Sequence, residues 1–161
     1  MDGEGFSGVD GRTSIFDYWS VGSLRRFCMD GKFKTEQLAA SERRLYDLYS
    51  KLFALVATHP ALAVGATYDL VYANRHHNRF NPDKHFAFLR HVAGSDREVL
   101  LVVVNFSEQS VDIEVYIPPH AFEYLRIPPH VHLPDTVPIN MSAWGAGIFP
   151  LNRSDKPLFH P

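Results

Sequence analysis

A chain of 161 residues, 45% hydrophobic and 21% charged, can bury a core without disulfides and lies far from disordered or fibrous compositions. Its formal net charge of -2 is spread without long like-sign runs, so electrostatics favours neither nucleic acid nor an anionic membrane as partner. Cys28 is the single cysteine, which excludes an internal disulfide and a cysteine-rich metal framework, and no stretch approaches the roughly 18 apolar residues of a membrane span.

Residues 1–10 are glycine-rich and acidic, and Gly3, Gly5 and Gly8 interrupt any periodic pattern, so the segment reads as a loop. Ile15, Phe16, Tyr18, Trp19 and Val21 follow at once and need a surface to cover. A short helix is expected around residues 21–29. From residue 35 or 41 to residue 59, Leu45, Leu48, Tyr49, Leu52, Leu55 and Val56 recur at spacings of three and four. Glu42, Arg43, Asp47 and Lys51 lie on the other side, the pattern of an amphipathic helix. Ser41 before Glu42 suits an N-cap, and Pro60 ends the helix because the residue before a proline avoids helical angles.

After Gly65 the period falls to two. Val111, Ile113, Val115 and Ile117 alternate with Asp112, Glu114 and Tyr116, and the unbroken apolar run 99–104 marks a strand covered on both faces. Residues 67–72, 86–92, 121–127, 137–141 and 147–151 read as further strands, separated by turn signals such as Asn81-Pro82, Pro118-Pro119 and Pro128-Pro129. Short strands with no helices between them predict an antiparallel sandwich. The expected fold is α+β: a loop with one or two helices over residues 1–64, then an all-β antiparallel sandwich of about seven or eight strands over residues 65–161.

Glycosidic hydrolysis requires two rigidly held carboxylates about 5 to 9.5 Å apart. Asp2, Glu4, Asp10 and Asp17 are close in sequence but lie on a glycine-rich segment, where they read as turn formers, so no catalytic residue is assigned. His130 and His132, and the pair His76-His77, lack acidic or thiol partners at zinc spacing, and no metal or other cofactor is expected. Cys28, between Phe27 and Met29, reads as a packed apolar group, and the Asn-x-Ser triplets at Asn105, Asn140 and Asn152 read as coincidence. Phe16, Tyr18 and Trp19 beside Arg12 and Asp17 suit either core packing or contact with sugar rings.

The stretches Glu4-Gly5-Phe6-Ser7-Gly8 and Asp10-Gly11-Arg12-Thr13-Ser14-Ile15-Phe16-Asp17-Tyr18-Trp19-Ser20-Val21 resemble the segment after the last barrel strand in bacterial members of the α-amylase family, glycoside hydrolase family 13. Leu45-Tyr46-Asp47-Leu48-Tyr49, His59-Pro60-Ala61-Leu62, Gly65 and Tyr68-Asp69-Leu70 are similar to that family's final barrel helix running into its C-terminal sandwich. Phe86-Ala87-Phe88-Leu89-Arg90, Val102-Val103-Val104-Asn105-Phe106-Ser107 and Ile117-Pro118-Pro119 are similar to strands of that sandwich.

The resemblance implies a parent enzyme that retains configuration and acts on starch or maltooligosaccharides. Its catalytic acids would sit on an upstream barrel of about 250 residues. It makes this chain the barrel's non-catalytic, stabilising C-terminal region, with Arg12, Tyr18 and Trp19 as candidates for substrate contact. The upstream barrel is then the expected partner, self-association is expected of the isolated chain, and the chain is expected to be soluble, with any signal peptide outside it. Two other readings stay open: a carbohydrate-binding sandwich module, and an interaction domain unrelated to sugar.

Overall fold

The computed structural model describes residues 22–28, 32–94, 98–152 and 157–159. The chain divides between Ala54 and Leu55 into two compact units.

In the first unit, α1 (Gly22–Cys28) precedes α2 (Ala40–Thr58), the 19-residue helix that the apolar spacing predicts, whose last residues, from Leu55 on, belong to the second unit. Its start differs by two residues from the expected Ser41 cap. Ala39 precedes the first turn, and Glu42, three residues on, accepts the Ala39 backbone N–H at 2.8 Å, which is half of a capping box. Arg26 donates to the same carboxylate, with Nε 3.3 Å from Oε2. The Arg26 hydrogen bond and then the Ala39 amide hold the Glu42 carboxyl below its ordinary value. Beside this contact the Phe27 ring meets Phe33 at 5.7 Å and Tyr46 at 5.6 Å.

In the second unit, the residue before α3 (Pro60–Val64) is His59, whose Nδ1 lies 2.7 Å from Oε1 of Glu98. Proline occupies the first turn of α3, where its missing N–H costs nothing. At Gly65 a Cβ atom would fall within 3.0 Å of the His91 backbone and closer still to the Ala61 carbonyl, so only glycine fits there.

Then follow β1 (Ala66–Asp69), α4 (Val71–Asn74), β2 (His85–His91), β3 (Val99–Asn105), β4 (Val111–Tyr116), α5 (Pro119–Leu125), β5 (Thr136–Met141) and β6 (Ala146–Pro150). All neighbouring strands are antiparallel, in a four-stranded sheet of order β1-β2-β3-β6 and a two-stranded sheet of β4 and β5. The α+β class and antiparallel architecture are those expected, with six named strands among the described residues.

Alternation along β2 and β3 sorts side chains onto two faces. Ala87, Leu89, Val99, Leu101 and Val103 point inward, where they share one core with Ile113, Val115, Ile139 and Met141 of the smaller sheet. On the outer face Leu100, Val102 and Ile148 pack with Ala61, and Leu55, Leu62, Phe88, Leu158 and Phe159 lie against them. Arg90 fastens this layer by donating to the carbonyls of Ala61 at 3.0 Å and Leu62 at 2.7 Å. The run 99–104 is therefore apolar throughout because both of its faces are covered.

Two expected strands differ. The segment 67–72 stops pairing at Asp69, whose Oδ1 accepts the Val71 N–H at 2.7 Å and turns the chain into α4. The segment 121–127 is α5: Pro119 sits in its first turn, and Ala121 and Leu125, four residues apart, both bury against the core. Arg126 ends it in the left-handed region at φ 53, with its N–H bonded to the Glu123 carbonyl. Pro118-Pro119, which reads as a turn between strands, is a helix start.

The smaller sheet needs its edges completed. On β4, the Glu114 N–H reaches the Arg79 carbonyl, and the Tyr116 N–H and carbonyl meet Oδ1 and Nδ2 of Asn74 at 2.7 and 2.9 Å. Fully buried Asn74 also donates to the Leu70 carbonyl at 2.8 Å, so its side chain stands in for a neighbouring strand. On β5, Val137, Ile139 and Met141 alternate with Pro138, which lies opposite Glu114, so proline's missing N–H falls on the outer edge and costs no ladder bond. Replacing Asn74 by Ala leaves the Tyr116 amide and carbonyl without these partners. The expected loss is about 2–4 kcal/mol in urea denaturation, with little change in the denaturant slope.

Candidate functional site

Arg12, Tyr18 and Trp19 lie outside the described residues. Three surface features stand out among the described residues.

The first is on α2. No residue of this helix is buried, and Leu45, Tyr46, Tyr49, Phe53 and Val56 are exposed, Phe53 to 68%. At 100° per residue Leu45, Tyr49, Phe53 and Val56 form one continuous apolar stripe. Singly exposed apolar residues are ordinary, whereas a stripe of large ones marks a contact surface.

The second lies at one end of the sandwich. An open depression of about 350 Å³ separates the 78–85 loop from the turn that joins β3 to β4. Phe80 and His85, both buried, lie at its base, with their rings edge to face at 5.5 Å. The walls carry the amides of Asn78, Asn81 and Gln109, the hydroxyls of Ser107 and Ser110, and the charges of Arg79, Lys84 and Asp112. Arg79 is paired with Glu114 at 2.9 Å.

The His85 Nδ1 accepts the Asn81 N–H at 3.0 Å, which leaves Nε2 as the protonated nitrogen of the neutral ring. Burial, and then the nearby Lys84 charge, push the His85 pKa below the usual histidine value.

Asn105, fully buried at the end of β3, organises this rim. Its Nδ2 donates to the carbonyls of Gln109 and Ser142, each at 2.9 Å, and its Oδ1 accepts from the Ser107 N–H at 3.0 Å and hydroxyl at 2.7 Å. One side chain thereby holds the β3–β4 turn against the β5–β6 turn. The sequence signal was present in Asn105-Phe106-Ser107, since Asn and Ser close such turns, but as a glycosylation triplet it reads only as coincidence. With both bonds of its amide nitrogen committed and no exposure, Asn105 is not a glycan acceptor. Trp144 was also missed: it lies in the β5–β6 turn, where its N–H donates to the Ser107 carbonyl at 2.9 Å.

The third feature joins α5 to β1. The Tyr68 hydroxyl hydrogen-bonds the Nε2 of His120, and the Tyr68 ring meets exposed Tyr124 at 5.6 Å. Burial, and then Asp69, raise the Tyr68 pKa, so the phenol stays protonated in neutral solution. Among the described residues no three His, Cys, Asp or Glu side chains converge as metal ligands. No described helix is long and apolar enough to cross a membrane.

No family model matches the chain, and no curated protein matches it. Among solved structures it is similar to AmyP, crystallised in complex with maltose, at 19% sequence identity and a TM-score of 0.49 over 79% of this chain. The aligned region is 24% of the AmyP chain, so this chain spans about a quarter of that protein's length.

The depressed pKa of His85 makes stability depend on pH. The folded state binds fewer protons than the unfolded state, so stability is complete above the ordinary histidine pKa of about 6.5 and is lost as pH falls from there through the folded value. Thermal melts of His85→Gln are expected to show a flatter decline than the parent chain as pH is lowered from about 7 to 5.

Proposed function

We propose that this chain is the non-catalytic C-terminal region of an α-amylase-type glycoside hydrolase acting on α-glucans. Residues 1–64 belong to the end of the catalytic barrel and residues 65–161 form the sandwich that supports it. The observation that carries the reading is α2. It occupies the stretch that resembles the family's last barrel helix, and it exposes the stripe Leu45, Tyr49, Phe53 and Val56. A barrel helix presents such a stripe to the strands inside it, where burial of each large side chain contributes about 1.5–3 kcal/mol.

On this reading the carboxylates that break the glycosidic bond sit on barrel strands encoded upstream. On the same reading the stretch with Arg12, Tyr18 and Trp19, which resembles the family's segment after the last barrel strand, would border the face where substrate binds.

The chain by itself is expected to release no reducing sugar from soluble starch, whereas the protein extended upstream by the roughly 250 residues of a barrel hydrolyses it. Phe53→Lys separates this reading from a free-standing domain. In the isolated chain the substitution should alter stability by no more than about 0.5 kcal/mol, because Phe53 is exposed there. In the extended enzyme it should cost about 3 kcal/mol or more and lower the melting temperature, because a charge then enters an apolar interface. Equal effects in both proteins, or starch degradation by the chain alone, would overturn the proposal.

A further inference from the structure

We propose that the loop end of the sandwich is a surface subsite for one or two neutral pyranose units, with Trp144 as the stacking ring and the depression beside Ser107 as the source of hydrogen bonds. That these units belong to an α-glucan rests on the function proposed above.

The chemistry of the depression selects an uncharged polyhydroxyl ligand. Asn78, Gln109 and Ser110 bring amide and hydroxyl donors and acceptors to its lining, as ring hydroxyls require, while the Ser107 hydroxyl donates to Asn105. The charges do not favour an anion: Glu114 neutralises Arg79, Asp112 lines the same depression as Lys84, and burial keeps His85 neutral. A volume of about 350 Å³ lies at the small end of ligand sites, suited to a saccharide unit or two.

The turn that carries Trp144 is bonded to the lining of the depression through the Trp144 backbone N–H and the Ser107 carbonyl. Trp144 is 66% exposed and Phe106 57%, and both flank Ser107, which lines the depression. Trp144 adopts φ 52, in the left-handed region, where a bulky residue is strained and glycine would be free of cost. A protein that keeps a large exposed ring on a strained backbone forgoes stability there, and a planar contact for a ligand explains that loss. The position is also rigid. The Trp144 N–H is bonded to the Ser107 carbonyl and the Asn105 N–H to the Gly145 carbonyl at 2.8 Å, while the Asn105 side chain ties both turns together. Such a framework lowers the ordering cost of binding.

The test is an amide and indole NMR titration of the full 161-residue chain with maltoheptaose, cellohexaose and inorganic phosphate. Maltoheptaose is expected to give saturable shifts at the Trp144 indole and at Ser107 and Gln109, with a dissociation constant on the order of 1 mM. Trp144→Gly, which suits the left-handed backbone and so keeps or raises the melting temperature, should weaken binding about tenfold. Trp144→Phe should stay within about threefold, and Gln109→Ala should lose about threefold to tenfold.

Trp144-dependent binding of cellohexaose but not maltoheptaose would uphold the pyranose subsite and overturn its α-glucan assignment. Absence of saturable shifts with either saccharide up to about 20 mM, preferential binding of phosphate, or unchanged affinity in Trp144→Gly would each overturn the subsite. Starch hydrolysis by the extended enzyme would stand unaffected, so the two readings fail separately.

Discussion

The apolar layer shared by a four-stranded sheet and a two-stranded one governs the second unit. Two strands cannot cover the inner face of four, so the remaining area must be closed by other elements. Leu70, Phe80, Ala121 and Leu125 do this from the segments around α4 and α5, and all four are buried in the same core as Leu89 and Val115. Each recruited segment brings backbone polar groups towards the core, and those must be paired. Asn74 answers that need at the end of α4, and the Arg79 carbonyl answers it one loop later. The asymmetry of the sandwich thus creates both its helical additions and its buried asparagine.

How much of this could be read in advance followed the range of the interactions concerned. The alternation 111–117 and the run 99–104 announced β4 and β3, because period and double burial leave a local trace. The helix α2 was equally legible, even though the surface that its stripe implies is not among its described neighbours. The segment of α5 was ambiguous: Ala121, Leu125 and Ile127 suit alternation, while Ala121, Phe122 and Leu125 suit a helix, and the adjacent prolines serve as turn or helix start alike. Asn74 and Asn105 were illegible as determinants, since their partners lie up to 42 and 37 residues away. No local pattern distinguishes an asparagine that replaces a strand from one that closes an ordinary turn.

The site readings divide along the same line. Arg12, Tyr18 and Trp19 were nominated by a resemblance and an aromatic cluster, both properties of contiguous sequence. The depression at the sandwich end is assembled from the 78–85 loop, the β3–β4 turn and the start of β4, none of which is distinctive alone. Trp144 enters only through its bond to Ser107.

The two exposed apolar surfaces, α2 and the Trp144 turn, call for opposite physical explanations. A helix of 19 residues is only marginally stable without an apolar contact along one face, so the α2 stripe represents folding energy that a covering surface would realise. The Trp144 turn is already fixed by hydrogen bonds to Ser107 and Asn105, which do not involve its ring. Covering α2 would therefore change the stability of the first unit, whereas covering Trp144 would leave the fold as it is. A surface that the fold needs covered belongs to a permanent neighbour, and one that the fold holds in place uncovered suits a reversible ligand, which adds stability only in proportion to its occupancy.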